Sequence, residues 1–346
     1  RFHYTFKKKR KCKSPSVFVF LTRVHTKIFQ NRMQIAKNKI HSHHQIVMYM
    51  NAFKPIEIKD KDLINSYIIP SDEQDCDLSF ANLFTWHFQT DSSYAIIQNN
   101  LVIRFSNPDE GHEYYLPFGN DNCISAIEEL KKTSLYAGER LCLRGITPQL
   151  QEKLEQYNPT LWDYSDNRDY FDYIYSRQEL AELKGKNYQP KRNHVNKFRK
   201  SYKYTYEPLI PSAIPECLEF ESAWCMKHGY IENDNIRNER RSLTTAFKHW
   251  NELDLTGFII RIEGKIIAFT FGHPINHNTF GIHYEKADVN IDGAYSAINQ
   301  HFAASLPEQY IYLNREEDLG IPGLRQAKLS YHPVKMLKKA RAILKH

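Results

Sequence analysis

The sequence predicts an α+β protein made of two units in tandem, each a mixed central sheet flanked by helices. Three observations carry this. A hairpin pattern, SYAIIQNNLVIRF (Ser93–Phe105), leads into a strand at 112–119, a helix at 121–132, a strand at 140–145 and a Pro-started helix at 147–157. The same order returns: a hairpin in FIIRIEGKIIAFTFG (258–272), a strand at 278–288, a helix at 292–305, a strand at 310–314 and a Pro-started helix at 321–331. The two closing helices align without a gap, TPQLQEKLEQY against IPGLRQAKLSY, with Pro148 opposite Pro322 and Tyr157 opposite Tyr331. The layout reads as an internal duplication.

Each element has a local reason. Asn99-Asn100 suits a hairpin turn, because Asn tolerates left-handed backbone. Asp121 or Asn122 can cap the following helix, and Thr147-Pro148 reads as N-cap plus first-turn proline. Ser176-Arg177-Gln178-Glu179 is a capping-box pattern, and Gly185 stands where that helix should stop. Pro190 opens a basic helix within 188–203 carrying Lys191, Arg192, Lys197, Arg199, Lys200 and Lys203, with Val195 and Phe198 as a narrow apolar edge. A strand (204–209) and two helices (214–228 and 234–252) precede the second hairpin, which turns at Glu263-Gly264. The predicted organisation is a leader (1–49), a first unit (50–176) and a second unit (177–346) that carries the site.

The chain has 346 residues, enough for two domains with their own cores. Its net charge of +7 is uneven. Residues 1–50 hold 12 Lys and Arg and no Asp or Glu, leaving 35 basic against 40 acidic residues in the remainder, net −5. The leader, with KKKRKCK at 7–13, reads as a nucleic-acid or membrane-surface arm, as a degraded signal peptide, or as sequence outside the natural protein with translation starting at Met48 or Met50. The abrupt change at Met50 favours the last. No apolar run approaches about 18 residues, so no transmembrane helix is expected. Six cysteines show no C-x-x-C pairing, so no metal site is expected, and free thiols in a reducing cytoplasm are the simplest account.

Where the two copies differ, chemistry can have been added. The strand exit Leu143-Arg144-Gly145-Ile146 becomes Asn314-Arg315-Glu316-Glu317-Asp318, Gln151 becomes Arg325 and Leu154 becomes Lys328. Arg325 and Lys328, three apart, share a helix face. This group reads as an anion- and amine-handling site or as a solvated ion-pair network. A second station is His283-Tyr284-Glu285-Lys286, where strand alternation puts Tyr284 and Lys286 on one face and His283 and Glu285 on the other. Glu285 reads as a general base if buried, or as one partner of an ion pair. The third is the basic helix, which could hold phosphates or simply face water. No Ser-His-Asp arrangement is readable, which favours direct attack over a covalent intermediate.

The segments KGKNYQPKRNHVNKF (184–198), HYEKAD with IDGAY (283–295) and NREEDLGIPGLRQAKLSYHP (314–333) resemble the C-terminal domain of phosphatidylglycerol lysyltransferases and its soluble relatives, which have two GNAT-like units in tandem. The resemblance implies the acyltransferase (GNAT) fold and transfer of an aminoacyl group from aminoacyl-tRNA to an amine or hydroxyl acceptor, a small molecule or a lipid headgroup. It implies catalytic roles for Glu285, Glu316 and Lys328, and substrate contacts from Tyr284, Arg315, Arg325, Lys191, Arg192 and Asn193. Acetyl-CoA-dependent members of the wider fold carry a Q/R-x-x-G-x-G/A loop. Here the junction reads Asn290-Ile291-Asp292-Gly293-Ala294-Tyr295, with one glycine and a carboxylate that would repel phosphate. No cofactor is expected. The alternatives are acylation of a small amine from acyl-CoA and a non-catalytic binding protein.

Overall fold

Two seven-stranded sheets organise the chain, and each has the same order and the same strand directions. The computed structural model describes residues 48–49, 51–107, 111–119, 123–227 and 233–345. The leader and the expected cap at Asp121 or Asn122 lie outside them, Met48 and Tyr49 apart. The chain divides into units Arg1–Asn51 and Ala52–His346, and the elements that follow belong to the second.

The first sheet comprises β1 (Lys54–Pro55), β2 (Ser93–Ile97), β3 (Asn100–Asn107), β4 (Gly111–Tyr115), β5 (Cys142–Ile146) and β6 (Trp162–Asp166). The second comprises β7 (Asp172–Ser176), β8 (Tyr204–Pro208), β9 (Thr256–Ile262), β10 (Lys265–Pro274), β11 (Thr279–Ala287), β12 (Tyr312–Asn314) and β13 (Lys335–Leu337), and β14 (Ala340–Leu344) completes the first. The orders are β1-β2-β3-β4-β5-β14-β6 and β8-β9-β10-β11-β12-β7-β13. All neighbours pair antiparallel except β4 with β5 and β11 with β12. The sixth position of the second sheet is β7, the first strand of the continuous run β7–β13, whereas the sixth position of the first sheet is filled from the C-terminal end of the chain by β14. A cut after Ser176 would leave each sheet with a strand on the wrong side.

Local expectations differ from the structure in small ways. The first hairpin turns on Gln98 and Asn99, both at positive φ, and Asn100 already pairs with Ile97. Ser176 does cap its helix through the Glu179 amide, but Leu183 at φ 48°, not Gly185, takes the left-handed exit. The helix expected to reach residue 252 stops at Lys248. Thr147 caps Pro148–Tyr157 as expected, and Glu263-Gly264 makes the second hairpin turn.

One apolar cluster joins elements of both sheets, from Ile64, Tyr94 and Leu101 to Phe247, Phe269, Phe271 and Tyr284. Within it Phe271 packs tilted against Phe247 and edge-on to Trp250, with ring centroids 5.0 and 5.3 Å away. Each such aromatic contributes about 1.5–3 kcal/mol by leaving water. The other face of the second sheet is covered by the Ala294–Ser305 helix, with Phe302 against Phe280 and Ala297 and Ile298 against Ile260 and Ala268. The core therefore fixes β11 from both faces.

Candidate functional site

The site begins where β11 and β12 part. They pair only at Thr279↔Tyr312, Phe280↔Leu313 and Gly281↔Asn314, and β11 then runs on to Ala287 paired with β10 on its other edge. A bulge sets His283 and Tyr284 together opposite Phe271 of β10, and alternation holds from Tyr284 onward. Tyr284 and Lys286 point to the Asp234–Lys248 helix, bonding Ser242 Oγ at 2.6 Å and Glu239 at 2.7 Å. Glu285 points to the opposite face, toward Asn299, but His283 does not join it as alternation predicts: it is the extra residue of the bulge and turns to Ser79 and Glu316.

Arg315 follows β12 and bridges the gap. Its Nη2 donates to Glu285 Oε1 at 2.9 Å, with the two side chains 12% and 10% exposed. Asn299, on the Ala294–Ser305 helix and fully buried, donates to Glu285 Oε2 at 3.1 Å. The Arg315 guanidinium lies over Tyr331, 5.0 Å from the ring centroid, and Lys191 Nζ lies 3.9 Å from the same centroid. Burial, with the Arg315 charge beside it, pushes the Lys191 ammonium down to about 8 against the pull of Glu285. Among the described residues, Arg315 Nη1 and Asn299 Oδ1 are buried without a hydrogen-bond partner. A buried donor and a buried acceptor left open cost free energy, which a bound ligand would relieve.

The other expected residues serve elsewhere. Lys328, buried, donates through Nζ to the carbonyls of Arg315, at 2.6 Å, and Glu317, pegging the loop that carries Arg315. Arg325 is locked on Asp318 through two bonds of 2.9 and 2.7 Å and on Asp169. Tyr284 is a core residue bonded to Ser242, and burial raises its phenol. Arg192 caps the Leu183 and Gly185 carbonyls, and Asn193 is exposed. Glu316 accepts from Asn82 at 3.0 Å and pairs with His283 Nδ1 at 2.9 Å.

Two arrangements were not legible in the sequence. His283 Nε2 lies 3.2 Å from Ser79 Oγ, so Ser79, His283 and Glu316 form a hydroxyl–imidazole–carboxylate line. Ser79 is 1% exposed and caps the Phe80–Thr85 helix, so its hydroxyl is a structural bond rather than a nucleophile. The second centres on Lys339, whose ammonium contacts Asp172 at 2.8 Å, Asp75 at 3.2 Å, Asp77 at 3.6 Å and Glu317. Burial and mutual repulsion push Asp75 up to about 7 and Glu317 up to about 8, while Lys339 pulls both down. Two sets of oxygens and the Cys76 thiol there, Asp75-Cys76-Asp172 and Cys76-Asp77-Glu317, are close enough to hold a cation, but Lys339 already supplies the positive charge.

Two mixed sheets, each with one parting parallel pair, are two GNAT-like units. The chain belongs to the phosphatidylglycerol lysyltransferase C-terminal family, whose model matches residues 70–343. A conserved protein of unknown function from Bacteroides thetaiotaomicron is 46% identical, with TM-score 0.82, over 85% of this chain and 99% of that one. The L-PGS structure from Bacillus licheniformis shares the fold at 14% identity and TM-score 0.61, over 85% of this chain and 93% of that one. An uncharacterized protein of Mycoplasmoides gallisepticum is 24% identical over 170 residues, 48% of this chain, so the match spans about half the length of that curated relative (54%). Among the described residues no helix is long and apolar enough to cross a membrane.

Proposed function

We propose that this chain transfers an aminoacyl group from aminoacyl-tRNA to an amine or hydroxyl acceptor, a small molecule or a lipid headgroup, at the gap between β11 and β12. The observation that carries the reading is the Arg315–Glu285 pair across that gap, with Lys191 and Asn299 converging on it. The acceptor's lone pair attacks the ester carbonyl carbon. A C–N or C–O bond forms, the bond to the ribose oxygen breaks, and the acceptor's proton ends on that oxygen. Arg315 donates to the carbonyl oxygen as its charge builds. Lys191, poised near 8, takes the proton from the acceptor in its neutral form and returns it to the leaving oxygen. Glu285 holds Arg315 in aim, and Lys328 holds the loop.

The two matching sheet orders support an origin by duplication with the chemistry kept in the second copy. In the first copy the corresponding exit is filled. Gly145 has φ +64°, and a Cβ there would lie 2.0 Å from the Tyr115 ring. Phosphates of the tRNA would rest on the exposed cations of the Gln189–Ser201 helix, such as Lys200. A tRNA donor puts the reaction on the cytoplasmic side.

Acyl-CoA fits less well. At the start of the Ala294–Ser305 helix, a Cβ on Gly293 would stand 2.5 Å from the His194 carbonyl, so a neighbouring helix backbone occupies the space where a pyrophosphate would be cradled. Asp292 there is clamped by Lys197 at 2.6 Å and His194 at 3.2 Å. The test is transfer of a labelled amino acid from aminoacyl-tRNA by the full chain in the presence of amine, glycerol or anionic lipid acceptors. Acceptor-dependent transfer, with tRNA binding that weakens as salt rises, is expected. Stabilisation by CoA esters and not by tRNA would replace the donor. Ligand binding without turnover, unaltered by Glu285→Gln, would make the chain a binding protein.

A further inference from the structure

The charges around the Arg315–Glu285 pair do not balance. Lys191 and Arg315 both lie against the Tyr331 ring, and Glu285 is the carboxylate that pairs with Arg315 and draws on the Lys191 ammonium. Both of its oxygens are engaged, Oε1 by Arg315 and Oε2 by Asn299. The aromatic neighbours Tyr175 and Tyr331 are kept neutral by burial. On the opposite face of β11, Lys286 and Glu239 cancel each other. The subsite therefore carries one excess positive charge in a setting that screens it poorly. Its two open polar atoms, the donor Arg315 Nη1 and the acceptor Asn299 Oδ1, belong to groups anchored on the same carboxylate. A donor and an acceptor together complement a ligand that presents a carbonyl oxygen and an N–H, as the ester carbonyl and α-amino group of an aminoacyl ester do.

We infer that this subsite takes an aminoacyl ester whose side chain is uncharged or acidic, and turns away lysyl and arginyl groups. The inference rests on the tRNA-donor reading and adds the class of amino acid. An ω-ammonium or guanidinium entering here would be a third cation with no free carboxylate to meet it. An apolar side chain meets the tyrosine faces, and an acidic one meets Lys191.

The test uses one tRNA body carrying alanyl, glutamyl or lysyl through a non-hydrolysable amide at its 3′ end, titrated against the full chain with uncharged tRNA as reference. Alanyl and glutamyl forms should bind at least about tenfold more tightly than lysyl. Lys191→Glu should reverse the order, and Lys191→Met should bring lysyl to within a few-fold of alanyl. Thermal melting would check that both variants are folded. Lysyl bound as tightly as alanyl by the parent overturns the inference and leaves the tRNA-donor reading standing. No charged form bound better than uncharged tRNA overturns both. Lysyl still rejected by both folded variants overturns the assignment to Lys191.

Discussion

The ammonium of Lys328 donates to the carbonyl of Arg315 at 2.6 Å, so a residue on the closing helix sets the position of the guanidinium that bridges to Glu285. Burial, with the Arg315 charge beside it, pushes the Lys328 ammonium down, and Glu316 and Glu317 offset part of that. Lys328→Met keeps the length of the side chain and removes both donors, leaving two loop carbonyls unpaired. Stability should fall by about 1–3 kcal/mol, read as a shift in urea midpoint. Transfer should fall further than the loss of folded protein accounts for, because Arg315 drifts. Activity lost only in proportion to folded protein would assign Lys328 to stability alone.

The Arg315–Glu285 pair separates stability from function. Removing one partner strands a buried charge, so Arg315→Met or Glu285→Leu alone should each cost about 3–5 kcal/mol. The double variant should recover most of that, since a buried ion pair and an apolar pair of similar volume are often close in stability. It should not recover transfer. A double-mutant cycle on denaturation midpoints, with transfer assayed in parallel, measures both. A double variant as unstable as the sum of the singles would mean the two side chains are not coupled.

The Lys339 cluster makes stability depend on pH. Glu317 and Asp75 titrate at about 8 and about 7 in the folded state, above their ordinary 4.5 and 3.8. The folded protein thus holds protons that the unfolded chain has already released, and stability falls as pH rises from about 4 through 8. The contribution is fully present at the acid end of that window. In Glu317→Gln the proton is replaced by an amide that cannot leave. Its stability relative to the parent should therefore grow as pH rises from 6 to 9, which guanidinium titrations at a series of pH values would detect. A parallel pH dependence in parent and variant would contradict the assignment to Glu317.

Much of this was legible because it was local. The hairpin at Glu263-Gly264, the Thr147-Pro148 cap, the alternation that separates Tyr284 from Glu285 and the buried Val195 and Phe198 each depend on a few neighbouring residues. The start of the second sheet at β7 and the return of β14 to the first were not legible. DYIYS and ARAIL are short apolar strands with nothing in their own pattern to say which sheet they enter. The roles inside the NREED segment were equally hidden. Lys328 differs visibly from Leu154, but its task depends on how a loop 11 to 13 residues earlier folds back over it. Asp75, Asp77, Asp172, Glu317 and Lys339 come from four separate stretches, so no spacing announces them.

Lys191 links pH to both rate and stability, and the two signs can be checked against each other. Its folded-state value of about 8 lies below the ordinary 10.5. Below pH 8 it is charged in both states, and the burial penalty on the ammonium is present in full. Between about 8 and 10.5 the folded protein releases this proton while the unfolded chain keeps it, so stability rises with pH across that window. Lys191→Met should accordingly be more stable than the parent at pH 7, with the advantage shrinking by pH 10. Transfer at saturating donor should climb as pH passes through about 8, when the neutral amine becomes available. Lys191→Arg, which stays charged, should lose that limb while keeping the stacking on Tyr331. A pH–rate profile with the same limb in Lys191→Arg would move the proton to another group.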